Sequence, residues 1–136
     1  MPDSATKEKV GKDLELMSVR ISTIVRTTAV GLLAIGWALL VNERDRLQVA
    51  PLPVLIAIAL GFIALLFDWA QYLVAYLNSA RTWDQMELDP ALKGWNPDRL
   101  YEWRRYFFAA KQVAAFLGVI ALLSAIAPAI LRLALG

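Results

Sequence analysis

Cysteine and histidine are both absent from the 136 residues of this chain. Without them the protein has no thiol nucleophile, disulfide, histidine haem ligand, iron–sulfur ligand set or Cys/His zinc site, and no Ser-His-Asp triad. Charge is also scarce, because charged side chains make up 19% of the chain and hydrophobic ones 59%. A soluble domain this short has too little interior for so many apolar residues. The composition therefore predicts a non-enzymatic membrane protein without cofactors.

The apolar residues are concentrated in three blocks that are nearly free of charge. Predicted spans cover 24–41, with Arg26 at the interface, 51–77 and 113–132. A helix needs about 17–25 residues to cross a ~30 Å hydrocarbon core, and each block is long enough. The sequence thus predicts an all-α, polytopic membrane protein with three transmembrane helices in a single membrane domain, 1–136.

Lysine and arginine are distributed unequally between the two ends of these spans. Ten of the fourteen precede the first span or lie between the second and third, and Arg26 at the inner interface of the first span is the eleventh on that side; the other three are Arg44, Arg46 and Arg132. Cytoplasmic loops of membrane proteins carry the excess of basic residues. We therefore expect the N-terminus and the 78–112 loop in the cytoplasm, the C-terminus outside, and a bacterial-type inner (plasma) membrane. The same bias explains the basic pI without a nucleic-acid partner.

The helices are predicted to continue beyond the membrane and to form a small cytoplasmic helical stalk. Residues 5–25 form an amphipathic helix that runs into the first span, the second span continues to about residue 88, and a helix over 97–112 runs into the third. Asn96-Pro97-Asp98 is typical of a helix start. One alternative places residues 5–25 flat on the inner leaflet, and another makes the first block a cleaved signal peptide.

Small residues recur along the predicted helices at the spacing of helix-packing seams. In the first helix one stripe is bulky at first and small within the span: Val10, Leu14, Met17, Ile21, Ile24, Thr28, Gly31, Ile35 and Ala38. In the other two helices the seam residues are Ala57, Gly61, Ala64, Ala110 and Ala114. Because small residues let helices approach closely, we expect helix one to pack along the hairpin of helices two and three through this stripe.

Asp68 requires a partner, because it lies ~24 Å along the helix from Leu52, near the inner edge of the bilayer. We expect Lys111 to pair with it, whereas Arg26 is at least as well placed to reach lipid headgroups. Gln71 and Gln112 complete the predicted intramembrane polar layer. The layer is interpreted as a buried ion pair that fixes packing; the alternatives are a ring of Asp68 side chains lining a cation pathway and a proton relay.

Tryptophan and tyrosine cluster near the predicted membrane interfaces. An aromatic belt is the simplest interpretation of this pattern. The alternative is a contact site at the cytoplasmic tip, in which Trp83, Trp95 and Trp103 enclose a planar or cationic ligand. The acidic residues of the same region have no metal-ligand spacing, so no metal site is predicted.

Two classes of function fit this plan. The first is a module that assembles with copies of itself or with other subunits of a membrane complex, through small-residue helix seams and the cytoplasmic helical hairpin. The second is a homo-oligomeric pore-forming or membrane-disrupting effector or channel, with a polar layer at Asp68. In both cases the lipid bilayer is a partner.

Overall fold

Three long α-helices make up the part of the chain that the computed structural model describes, residues 4–41, 49–88 and 99–135. Helix α1 is Ser4–Val41, α2 is Pro51–Leu88 and α3 is Arg99–Leu135. At 1.5 Å per residue each helix is about 55 Å long, well above the ~30 Å of a hydrocarbon core. All three are long and apolar enough to cross a membrane. The expected all-α protein with three candidate transmembrane helices is therefore confirmed.

The helix boundaries have local causes where the structure describes them. Pro51 and Pro53 lie in the first turn of α2, where the missing proline N–H has no intrahelical acceptor to lose. Helix α1 passes without a break through both of its predicted segments, 5–25 and 24–41. The Asn96-Pro97-Asp98 start signal and the predicted tip of the hairpin lie outside the described residues.

The three helices run up, down and up in one bundle. The contact between α2 and α3 is the most extensive, and α1 lies against both. Ser22 of α1 bonds to Asp68, while Gly36 lies beside Ile58, so α1 and α2 are antiparallel. We call the end at which α1 and α3 begin and α2 ends the basal end.

The core of the bundle is built mainly from small side chains. One buried cluster near its middle consists of Val25, Ala29, Ala64, Ala114 and Ala115. A second cluster, farther from the basal end, consists of Leu32, Leu39, Val49, Val54, Ala57, Leu122, Ala125 and Ala129. Most bulky apolar side chains instead face outward. Close backbone approach with apolar residues on the outside is the arrangement that lipid favours.

The seam predicted for the hairpin lies in the core, but the seam predicted for α1 does not. Ala57, Gly61, Ala64 and Ala114 are buried, and Ala110 is half-buried. Thr28 and Gly31 are only half-buried, and a Cβ added at Gly31 would meet no atom within 4 Å. Helix α1 packs instead through the stripe Ser22, Val25, Ala29, Leu32, Gly36 and Leu39.

The choice between the two stripes of α1 depends on the polar contact of Ser22. The two stripes of α1 have the same three-and-four spacing and differ by one position, so spacing alone does not choose between them. The buried stripe is the one that carries Ser22, which bonds to Asp68. The predicted stripe, which we call the outer stripe, therefore lies on the outside of the bundle from Leu14 onward, and the side chain of Val10 lies outside the described residues.

Leucine at Gly61 and leucine at Gly31 are expected to have opposite consequences for folding. A Cβ at Gly61 would lie 3.1 Å from the Ala29 carbonyl oxygen and 3.3 Å from the Leu32 Cβ, so a whole leucine has no room. Gly61→Leu should lower the free energy of unfolding by about 3 kcal/mol or more through overpacking. Gly31→Leu should leave it unchanged or raised, since the site is open and glycine is a poor helix former.

Thermal unfolding of both variants in excess detergent, where the chain is kept monomeric, checks this. Equal loss of stability in the two variants would contradict the described rotation of α1.

Candidate functional site

A carboxylate with every oxygen engaged lies at the junction of the three helices. Asp68 of α2 is 5% exposed. Its Oδ1 accepts hydrogen bonds from Ser22 Oγ of α1 at 2.9 Å and from Lys111 Nζ of α3 at 2.5 Å. Its Oδ2 accepts two from Arg26, at 3.0 Å from Nε and 2.7 Å from Nη2. One side chain of α2 thereby ties together all three helices.

Lys111 is the most completely buried charged group in the described part of the chain, with 0% exposure. Besides Asp68, its ammonium donates to Ser22 Oγ at 2.8 Å and lies 5.1 Å from the centre of the Phe108 ring. An ammonium in an apolar bundle needs a nearby anion and satisfied donors, because its desolvation is costly. The carboxylate, the hydroxyl and the aromatic face supply these.

Arg26 joins the network from its outer side. Its side chain is 49% exposed, and its Nη2 also donates to the Tyr72 hydroxyl at 3.4 Å. The guanidinium lies 5.6 Å from the centre of the Tyr72 ring, in cation–π range. Of the two expectations for Arg26, membership of the polar layer and contact with lipid headgroups, the structure shows the first. One helical turn separates Ser22 from Arg26, so both face Asp68 from neighbouring positions of α1.

The remaining residues of the predicted polar layer have different surroundings. Gln71 is buried one turn beyond Asp68, but its Oε1 has no hydrogen-bond partner within the described chain. Gln112 is half-buried beside Lys111 and makes no side-chain hydrogen bond to this network. The polar layer therefore consists of Asp68, Lys111, Arg26, Ser22 and Tyr72, with Gln71 adjacent to it.

The predicted aromatic contact site is not assembled by the residues that the structure describes. Trp83 is exposed near the end of α2, and Trp95 lies outside the described residues. Trp103 packs against rings of its own helix, 6.3 Å from Tyr106 and 6.0 Å from Phe107 between ring centres. Phe107 in turn stacks on Phe67 of α2 at 5.9 Å. Trp103 thus belongs to an aromatic row that follows the α2–α3 contact.

Sequence reasoning did not identify Ser22, Tyr72 and Phe108 as members of the network. The same signal was present for all three, because Ser22 lies one turn before Arg26, Tyr72 one turn after Asp68, and Phe108 one turn before Lys111.

The arrangement suits a structural role better than ion or proton conduction. A carboxylate has about four acceptor positions, and the four hydrogen bonds to Asp68 occupy that number. All of its donors come from the same chain, so no position is left for a passing cation. Within the described residues, no group of three acidic side chains is placed to hold a metal ion. The network carries one negative and two positive charges.

Comparison of the chain with protein-family models, with curated proteins and with solved structures found no match.

Replacing Asp68 and Lys111 together should cost less stability than the sum of the two single losses. Asp68→Asn leaves the fully buried Lys111 without an anion, and we expect it to lower the free energy of unfolding by about 3–5 kcal/mol. Lys111→Met should cost less, because Arg26 still neutralises Asp68. The double variant should recover part of the combined loss, since the two groups interact directly.

The free energy of unfolding, measured in mild detergent for the wild type, both single variants and the double variant, gives the coupling free energy between Asp68 and Lys111. Arg20→Gln, at an exposed arginine of α1 outside the network, is the control and should have little effect. Strict additivity of the two single losses would show that Asp68 and Lys111 do not stabilise the bundle as a pair.

Proposed function

We propose that this protein is a non-enzymatic membrane module that pairs with a second copy of itself through the outer stripe of α1. The observation that carries the proposal is the position of this stripe. Its apolar residues Leu14, Met17, Ile21, Ile24 and Ile35 are all exposed in the single chain. Gly31, in the middle of the stripe, has open space above it.

The spacing of the outer stripe is that of a helix–helix seam. Steps of three and four alternate without exception over Leu14, Met17, Ile21, Ile24, Thr28, Gly31, Ile35 and Ala38. This 3.5-residue period keeps a seam facing a partner helix along its whole length. A surface that meets only lipid needs to be apolar but needs no such period. The regular spacing therefore favours a helix as the occupant of the stripe.

The change in side-chain size along the stripe fits one continuous helix pair. Among charged neighbours, at 12–24, the stripe carries bulky residues whose burial drives association in water. In the apolar part it carries Thr28, Gly31 and Ala38, which permit close packing where lipid removes the hydrophobic gain. The two neighbouring stripes give α1 one face for its own hairpin and another for a second chain.

A second copy satisfies the geometry of this seam. Two chains inserted with the same topology present parallel α1 helices at the same depth, so identical stripes meet in register. Such a contact has twofold symmetry with its axis along the membrane normal, the commonest arrangement of homo-oligomers. A foreign membrane subunit with a matching stripe is the alternative occupant and is an outcome of the test.

The location and orientation of the module belong to the same proposal. Eleven of the fourteen basic residues lie before the first span, at its basal boundary (Arg26) or between the second and third spans. This bias supports a basal end in the cytoplasm of a bacterial-type inner (plasma) membrane. The exposed aromatics Trp83 and Trp103 are then in the cytoplasmic hairpin, where they offer a further surface for partners.

The pore-forming effector is less well supported. That function needs Asp68 to line a path between copies, yet Asp68 is buried within one bundle and its acceptors are occupied from within the chain. Conduction would require the network to open, with exposure of the buried Lys111. The seam proposal needs no rearrangement of the described helices.

A charge placed on the outer stripe should separate the two copies, whereas the same charge one residue away should not. Met17 lies on the stripe and is 60% exposed, and Leu16 lies beside it, off the stripe, at 64%. Met17→Glu should convert the pair to single chains, because two buried glutamates would face each other. Leu16→Glu should leave the pair intact. The native mass of the protein released gently from its own membrane measures this directly.

Gly31→Leu tests the proposed pairing a second time, in the part of the stripe that lies within the membrane. The single chain has room for the leucine, but two α1 helices crossing at Gly31 do not. We expect folded single chains from this variant. A wild-type protein that is already monomeric, or an assembly that Met17→Glu and Leu16→Glu weaken equally, would overturn the proposal. A stable foreign subunit lost only in Met17→Glu would replace the second copy as partner.

A further inference from the structure

A polar groove lies at the basal end of the bundle, beyond the Asp68 network. It is an open cavity of about 810 Å³ between all three helices, here called the basal groove. The lining residues that matter are Glu15, Ser18, Gln71, Arg104, Arg105 and Phe108. We propose that the basal groove binds the headgroup of a membrane phospholipid, and the following observations carry this assignment.

The wall of the groove contains a buried amide that lacks a donor. Gln71 is 9% exposed, and its Oε1 accepts no hydrogen bond within the described chain. The same residue also lines a smaller cavity that reaches Ser22 and Tyr72 of the ion-pair network. An unsatisfied buried acceptor is costly, and a ligand that brings an O–H or N–H donor removes the cost.

Two arginines give the groove its charge. Arg104 and Arg105 both line it, and neither forms a salt bridge with any described residue. A guanidinium matches a phosphate group with two parallel hydrogen bonds, and a pair of them can clamp one phosphodiester. Glu15 is the acid that lines the groove, so the described lining carries a net positive charge.

The depth of the groove is that of a lipid headgroup. Arg104 precedes Lys111 by seven residues of α3, a rise of about 10 Å toward the basal end. The described helices are apolar beyond the Asp68 network on the other side, so the groove lies where the apolar part of the bundle ends. Phe108 and Ala109 give it an apolar side that can contact the upper acyl chains.

The acceptors in the groove select among phospholipids. Gln71 Oε1 lacks a donor within the described chain, and the exposed Glu15 carboxylate is a second acceptor in the lining. The hydroxyls of phosphatidylglycerol and the ammonium of phosphatidylethanolamine supply donors, whereas the choline headgroup has neither an O–H nor an N–H. We therefore expect phosphatidylglycerol and phosphatidylethanolamine to be retained in preference to phosphatidylcholine.

Native mass spectrometry of the whole chain, released from nanodiscs with equal amounts of phosphatidylglycerol and phosphatidylcholine, tests the proposal. The wild-type chain should retain phosphatidylglycerol selectively. Arg104→Gln/Arg105→Gln should lower this retention about tenfold, the effect of one to two charge-assisted hydrogen bonds. Arg20→Gln/Arg81→Gln removes the same charge from exposed positions outside the groove and should retain the lipid like wild type.

Gln71→Met keeps the assignment testable if the double arginine variant does not fold. It removes the unpartnered acceptor at similar volume, so the preference for glycerol over choline headgroups should fall. A preference unchanged in Gln71→Met would overturn the proposal, as would equal retention in the two double-arginine variants. Release of the lipid by millimolar inorganic phosphate would also overturn it, by showing a site for free anions. None of these substitutions lies on the outer stripe of α1, so the lipid test is independent of the pairing test.

Discussion

A lysine ammonium with no solvent exposure lies inside an apolar three-helix bundle, and the packing has to supply its counter-charge. The Asp68 carboxylate of α2 does so, while Ser22 and Arg26 of α1 complete the hydrogen bonds of that carboxylate. Because these groups come from all three helices, the network fixes how each helix is rotated about its axis. The apolar clusters alone would tolerate more than one rotation, since they consist mainly of small and interchangeable side chains.

The rotation of α1 is the consequence that matters most for function. The stripe with Ser22 faces the hairpin, and so the neighbouring stripe with Met17 and Gly31 faces outward. In water an exposed stripe of this kind would promote aggregation, but in a membrane protein it is available to a second helix. The interaction that holds one chain together thus also determines which surface of α1 remains exposed.

The basal end combines features that belong to a membrane interface. Helices that are apolar along most of their length acquire Arg104, Arg105, Glu15 and a buried amide within a short distance of each other. The chain thus offers three distinct surroundings along its length: an apolar core for the bilayer interior, a compensated ion-pair network at the edge, and a basic groove beyond it. The outer stripe proposed for a second chain and the groove proposed for lipid adjoin each other on α1, where Leu14 belongs to both.

The sequence by itself determined the number and extent of the helices. Long apolar runs bounded by charge and proline form helices in lipid, because only a helix satisfies all the backbone hydrogen bonds within one segment. The sequence also identified Asp68 as unusual, since a charge at the end of such a run needs a partner, and it identified Lys111 as that partner. Only the tertiary structure decided which α1 residues meet them. Two stripes of α1 share the same spacing and differ by a rotation of about 100°, and the choice depends on hydrogen-bond geometry between helices far apart in sequence. The unpartnered Oε1 of Gln71 was likewise decided by the packing, because it depends on which donors the neighbouring helices bring near it.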